Sequence, residues 1–423
     1  MRFVATVLVA LLAFAQADPK ARIKTIKELG KKDGTAGMPE LAGFLKDPDD
    51  EVRREAVKAI VQVGTQHSLD PLIEATKDND EEIQIRATDG LVNFYYAGYI
   101  LRGLSGSIKR IGKGVKGKFS DTNDQMIEGY IEVRPEVTKG IARLVKDGAS
   151  LTVKANAARA CGVLRAKESA PALLEALRTK GTQLIYESLV ALQKIRDPET
   201  ATGITFLLQD LNDKVQMTAI ETTGLLMNKK ALPDLREAVA RGKSVKVRSA
   251  AIAAMAMIPD EASRTTYEKY IEDKEDALRA SAAEGYARLK NPADAALMAK
   301  LFEGEGRMQA RLSLAFAACS LGKTELAEFS PLQYLVNTLN SASYRGVSQA
   351  FLRELSRDKK VRESLYRVMD QRTKAEKLEL AVILAREGDA ETVPVLENLT
   401  KDRDTEVGKA AALALRNLKA RFP

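Results

Sequence analysis

Apolar residues recur at steps of three and four along most of the chain, and these steps are grouped into blocks of about thirty-one residues from Pro39 to the C-terminus. The clearest block reads Pro39-Glu-Leu-Ala-Gly-Phe44-Leu45-Lys-Asp47, then Val52-Arg53-x-x-Ala56-x-x-x-Ile60, and closes at Gly64. Steps of three and four put Leu41, Phe44 and Leu45 on one face of a helix. Asp47 then marks a turn, and Val52, Ala56 and Ile60 open a second apolar face. The frame returns from Pro71 to Ala87, and again around Asp147, Lys180, Asp210, Arg241, Asp273, Glu303, Asn340, Asp370 and Asp402. A unit of this size cannot bury its apolar side alone, so a period of this kind predicts stacked copies.

The two halves of each block have different grammar. Pro39, Pro71, Pro171, Pro233 and Pro331 stand where the first helix opens, a position at which the missing N–H costs nothing. The second half carries an apolar residue, then a long polar one, then Ala three later: Val52/Arg53/Ala56, Ile83/Gln84/Ala87, Val153/Lys154/Ala157, Val215/Gln216/Ala219, Val247/Arg248/Ala251 and Leu278/Arg279/Ala282. The small Ala allows close helix approach, and the long polar neighbour reaches toward the adjacent turn. Gly64, Gly224 and Gly322 are expected helix stops. The recurring Asp residues read as turn and capping groups.

The Pro-x-Leu-x-x-Phe-Leu-x-Asp and Val-Arg-x-x-Ala elements of residues 39–56 resemble HEAT repeats, in particular the short bilin-lyase-like kind, and the resemblance covers nearly all of the chain after its first residues. It departs at Gly408, which stands beside Val407 in place of a basic residue. The fold implied is all-α: an α-solenoid superhelix of about eleven stacked antiparallel helix pairs. Such arrays carry scaffolds, lyases, hydroxylases and glycosylases, so the resemblance alone does not choose an activity.

The first residues have a grammar of their own. Arg2 precedes the apolar run Phe3 to Phe14 and the small-x-small site Ala15-Gln16-Ala17. This predicts a signal peptide over residues 1–17, cleaved after Ala17, and export to the periplasm or cell envelope. The run is shorter than the roughly 20 apolar residues of a membrane span. Residues 18–36, with Ile23, Ile26 and Leu29 on one stripe, then read as an N-terminal capping helix. Repeats 1–2 occupy residues 37–95 and repeats 3–11 occupy 135–423.

Between Asp78 and Asp147 lie 69 positions, so an insertion sits at about 96–134. It holds Arg102, Lys109, Arg110, Lys113, Lys116 and Lys118 with no acid from Leu101 to Phe119. The formal charge is +8, or +7 once Arg2 is lost, so these six cations account for nearly all of it. Basicity is therefore a local patch. Leu101, Leu104, Ile108, Ile111, Val115 and Phe119 would form an apolar stripe opposite the cations, suited to an anionic membrane surface or an acidic polymer. Gly103, Gly106, Gly112, Gly114 and Gly117 weaken such a helix, each by about 1 kcal/mol relative to Ala. Asp121, Asp124, Glu128 and Glu132 offer the alternative of a self-neutralised excursion.

His67 is the only histidine, and Cys161 and Cys319 are the only cysteines. That inventory argues against His- or Cys-based metal sites, histidine triads and disulfides, and the reading carries no cofactor. Trp is absent and aromatics make up 5%, which speaks against nucleic-acid stacking platforms. Carboxylates are plentiful, so a lyase or hydrolase using acids on the concave face stands as an alternative. The leading expectation is a non-enzymatic, monomeric adaptor whose concave face, built from second helices, binds a protein partner through residues such as Lys154, Arg159, Arg248 and Arg311.

Overall fold

The computed structural model describes residues 18–31, 36–99 and 125–422. Among these residues there are 22 α-helices, several short 3-10 turns and no strand. The chain divides into two compact units, residues 1–228 and 229–423.

In the first unit, α1 (Pro19–Leu29) precedes four α-helical pairs. They are α2 (Met38–Gly43) with α3 (Asp50–Val63), α4 (Leu69–Ala75) with α5 (Glu81–Tyr95), α6 (Pro135–Asp147) with α7 (Leu151–Val163), and α8 (Ala170–Ala176) with α9 (Thr182–Ile195). A fifth pair is irregular. Its first half is two 3-10 segments, Pro198–Gly203 and Thr205–Gln209, and its second is α10 (Asp213–Leu226).

The second unit holds six pairs. They are α11 (Leu232–Arg241) and α12 (Val245–Ala256), α13 (Arg264–Tyr270) and α14 (Asp276–Leu289), α15 (Ala295–Gly304) and α16 (Met308–Ser320), α17 (Pro331–Thr338) and α18 (Arg345–Leu355), α19 (Lys359–Tyr366) and α20 (Lys374–Glu387), and α21 (Thr392–Leu399) and α22 (Thr405–Lys419).

Within each unit, second helices pack on the second helices of adjacent pairs: α7 on α9 in the first, α12 on α14 and α14 on α16 in the second. The Ala column makes this possible, because Ala157, Ala219, Ala251 and Ala282 are fully buried and add no bulk between the rods. Glycine extends the effect at Gly162, where a Cβ would stand 2.7 Å from the Ala191 Cα. The N-terminal helix behaves as one more second helix: α1 packs on α3 and buries Arg22 and Ile26.

The turn chemistry follows the sequence. Asp49 accepts from the Glu51 and Val52 N–H groups, and Asp80 from that of Ile83, so each caps a second helix. Asp47 accepts from the Asp49 N–H at 3.0 Å and Asp78 from the Asp80 N–H at 2.9 Å, which closes the tight turn before the cap. Gly64 ends α3 in the left-handed region with φ of 59°, and Gly322, at φ 106°, follows α16. Gly224 departs from expectation: it lies buried inside α10, and the left-handed stop is Met227 at φ 56°. The helix runs through this glycine, and the chain turns three residues later.

Both cysteines are free and buried. Burial pushes the Cys161 thiol up to about 12 and raises that of Cys319 as well. Among the described residues no helix is long and apolar enough to cross a membrane.

Candidate functional site

In several repeats the long polar residue beside the second helix's opening apolar residue, four positions after the N-cap, forms a rung to the next repeat. Arg22 Nε pairs with Asp47 at 2.9 Å, and Arg53 Nε with Asp78 at 2.8 Å. In the second unit, Arg279 pairs with Glu305 at 2.7 Å and Lys377 with Asp402 at 2.6 Å. The same arginines also tie their own turn: Arg53 Nη1 donates to the Asp47 carbonyl and Arg279 Nη1 to that of Asp273. One carboxylate therefore closes a turn and receives the guanidinium of the preceding repeat. Gln84 does a neutral version of this work, donating to the Asp78 carbonyl and accepting the Ala149 N–H. The Asp78 hydrogen bond raises the Arg53 pKa, and the Lys377 ammonium holds Asp402 below the usual carboxylate range.

Five residues beyond the rung position lies a second column on the second helices. In the first unit it contains Asp89 and Arg159. Asn156 Nδ2 donates to Asp89 at 3.0 Å, the Arg159 guanidinium lies 5.9 Å from the Tyr99 ring centroid, and Lys194 Nζ donates to the Gln125 carbonyl at 2.9 Å. Asp89, Arg159, Glu187 and Lys194 are all buried. The two described ends of the insertion seat here: Tyr99 is fully buried, and Ile127 N–H donates to the Val163 carbonyl. Burial raises the Glu187 carboxyl, opposed by Arg159, Lys194 and a hydrogen bond from Gln183.

In the second unit the equivalent column contains Glu284, Phe316, Val382 and Leu413. Arg288 bridges Glu284 and Glu354, each at 3.0 Å, and lies over the Phe316 ring, which stacks on Phe351 at 4.5 Å. Burial raises the Glu284 carboxyl against the pull of Arg288. A single guanidinium is thus shared between two carboxylates. Farther along, Val382 and Leu413 are exposed on consecutive second helices α20 and α22, and Val347 is exposed on α18.

The residues singled out from sequence fall in several places. Arg102, Lys109, Arg110, Lys113, Lys116 and Lys118 lie outside the described residues. Lys154, Arg248 and Arg311 occupy rung positions, and Arg159 lies in the second column. Arg248 donates to the Gly242 carbonyl at 3.0 Å, and Arg159 is held beneath the insertion's ends. Arg311 lies over Phe302 and Tyr334. Lys154 and Arg159 belong to the first unit, and Arg248 and Arg311 to the second. His67 is exposed in a 3-10 turn, and among the described residues no cluster of His, Cys, Asp and Glu is arranged to hold a metal.

Residues 6–92 and 203–287 match HEAT repeats, and residues 153–179 match the PBS lyase HEAT-like repeat. The chain thus carries HEAT repeats, and its helix pairs are HEAT-like pairs. No curated protein matches the sequence. Among solved structures, an engineered protein is 18% identical, covering 90% of this chain and 98% of its own, with a TM-score of 0.38. The complex of CpcE and CpcF of phycocyanin lyase from Nostoc sp. PCC7120 is 15% identical over 60% of this chain and 94% of its own, with a TM-score of 0.33. Kap121p bound to Pho4p is 11% identical over 98% of this chain and 57% of its own, with a TM-score of 0.45.

Proposed function

We propose that this protein is a non-enzymatic, exported scaffold that binds a protein partner along the second helices of its HEAT-like pairs. The observation that supports this most is the exposure of aliphatic side chains on three successive second helices of the second unit: Val347 at 43%, Val382 at 45% and Leu413 at 51%. Val382 and Leu413 hold the same place in their repeats, five residues after the rung, where the first unit instead buries Asp89 and Arg159. Exposed apolar positions repeated along a solenoid suit recognition of an extended protein surface. Turn carboxylates such as Asp47, Asp78 and Asp402 are engaged in turns and rungs, which favours a structural over a chemical use of the recurring acids.

The test is affinity isolation from the organism's own envelope with the mature chain and with a Val382→Asp/Leu413→Asp variant of unchanged helical circular dichroism. A protein retained by the former and lost from the latter supports the proposal. Equal recovery by both removes the second-helix face. Intact mass of the isolated chain reads the export claim, which requires loss of residues 1–17.

A further inference from the structure

Among the described rung arginines, one departs from the rest. Arg22, Arg53 and Arg279 pair with a carboxylate, Arg248 donates to the Gly242 carbonyl, and Arg345, at the matching place at the start of α18, donates to the Leu339 carbonyl and lies 3.8 Å from Glu379. Arg311 makes neither interaction, and its Nε is buried without a partner. The cause is legible in the next turn, where the frame supplies Asn340 in place of an acid. Asn340 is engaged elsewhere, donating to Glu376 at 2.8 Å and accepting from Thr373 at 2.8 Å.

Two ring faces take the place of the carboxylate. The Arg311 guanidinium lies 5.0 Å from the Phe302 centroid and 4.9 Å from that of Tyr334. Ring faces attract the charge but accept the guanidinium's in-plane N–H groups poorly. Beside this group opens a groove of about 520 Å³ that also includes Phe329, Gln333 and Arg372. Arg372 is a second cation without a carboxylate partner: it donates to Gln333 Oε1 at 3.1 Å and to the Val368 carbonyl. Glu328 is the one acid in the lining, and it is exposed. Phe329 is 83% exposed and sits in the left-handed region at φ 61°, a conformation that costs a non-glycine residue energy. An aromatic ring held in solvent on strained backbone, next to two guanidinium groups that have no carboxylate partner, is complementary to an apolar side chain adjoining an anion.

We propose that this groove binds a carboxylate carried by a peptide, with Arg311 and Arg372 receiving the carboxylate and Phe329 covering the apolar side chain beside it. Planar, bidentate donors match carboxylate geometry, and the aromatic floor limits competition from water. The groove lies among α15, α16, α17 and the turn before α20; Arg311 stands at the rung position of α16 and not at the place, five residues later, that Val382 and Leu413 hold in their repeats, so the substitutions that test this groove differ from those that test the scaffold reading.

Ligand-detected NMR titrations of the full chain test it with three probes: N-acetyl-phenylalanine, its amide, and an N-acetylated, C-amidated Glu-Phe dipeptide. Loss of a charge-assisted hydrogen bond predicts that the acid binds about tenfold tighter than the amide. Preference for the free acid over the dipeptide assigns the site to a chain terminus, and the reverse assigns it to an acidic side chain. Arg311→Gln should erase the difference between acid and amide. Phe329→Ala, at an exposed position that leaves packing intact, should weaken all three probes severalfold. Equal binding of acid and amide, indifference to both substitutions, or displacement by inorganic phosphate at lower concentration than by the acid would overturn the proposal.

Discussion

Replacing Asp78 tests the rung mechanism at its best-formed example. Asp78 accepts from Arg53 Nε at 2.8 Å and Nη2 at 3.3 Å, and also from the Asp80 N–H at 2.9 Å. The two side chains are 15% and 11% exposed, so the pair lies between a surface bridge and a buried one. Surface pairs contribute about 0–1 kcal/mol, and breaking buried ones costs about 3–5 kcal/mol. An intermediate cost of about 2 kcal/mol is expected for Asp78→Asn, which keeps an oxygen for the turn. Asp78→Ala also loses the turn hydrogen bond and should cost about 1 kcal/mol more. A cycle with Arg53→Met isolates the pair, with a coupling of about 1–2 kcal/mol.

Global unfolding is a poor readout, because repeat arrays need not unfold as one. Native-state hydrogen exchange of the α3 and α5 amides reads the local opening directly. In the Asp78→Asn protein these amides should exchange about thirtyfold faster, the factor corresponding to about 2 kcal/mol. Protection within twofold of the parent, or coupling below about 0.3 kcal/mol, would refute the reasoning.

Further outcomes follow from other positions. Gly285→Ala brings a Cβ to 2.5 Å from the Tyr267 ring and should destabilise the second unit by about 1–3 kcal/mol, read as lower urea resistance of α13 and α14 amides. Glu187→Gln should stabilise the first unit at neutral pH. Because the folded pKa of Glu187 is raised, its favourable contribution is complete below the unfolded carboxylate value of about 4.3 and is lost as pH rises through the folded one. The gain should therefore vanish on acidification to about pH 4, and a gain that grows there would contradict the burial argument. Iodoacetamide should label Cys161 and Cys319 only as fast as their helices open, since both thiols are buried and raised; labelling at the rate of a free peptide thiol in native protein would contradict their placement.

Much of the fold was legible because the repeat writes the same physics many times. Val52, Arg53 and Ala56 announced an apolar anchor, a reaching side chain and a close-approach position, and each does that work. The destination of the reaching side chain was also present: the acceptors of Arg22, Arg53 and Lys377 each lie 25 positions downstream. The exception at Arg311 becomes visible only once that pairing is known. Gly224 was misread as a stop because a glycine inside a helix looks the same in sequence as one at its end, and α10 continues through it to Leu226. The seating of Tyr99 and Gln125 against α7 and α9 joins distant parts of the chain, and no local pattern encodes it. The irregular fifth pair has a similar origin, with Pro198–Gly203 folding as a 3-10 segment that places Gly203 against Leu174.

The central claim is that stacked pairs secure themselves through turns and rungs and leave their second helices to hold a protein. Site-specific photo-crosslinking in the native envelope addresses it directly, with the crosslinker placed at Leu413 on second helix α22 or at the exposed Lys300 on first helix α15. The account predicts a discrete protein adduct from position 413 and none from position 300. Equal adducts from both positions, or an adduct from position 300 alone, would contradict it.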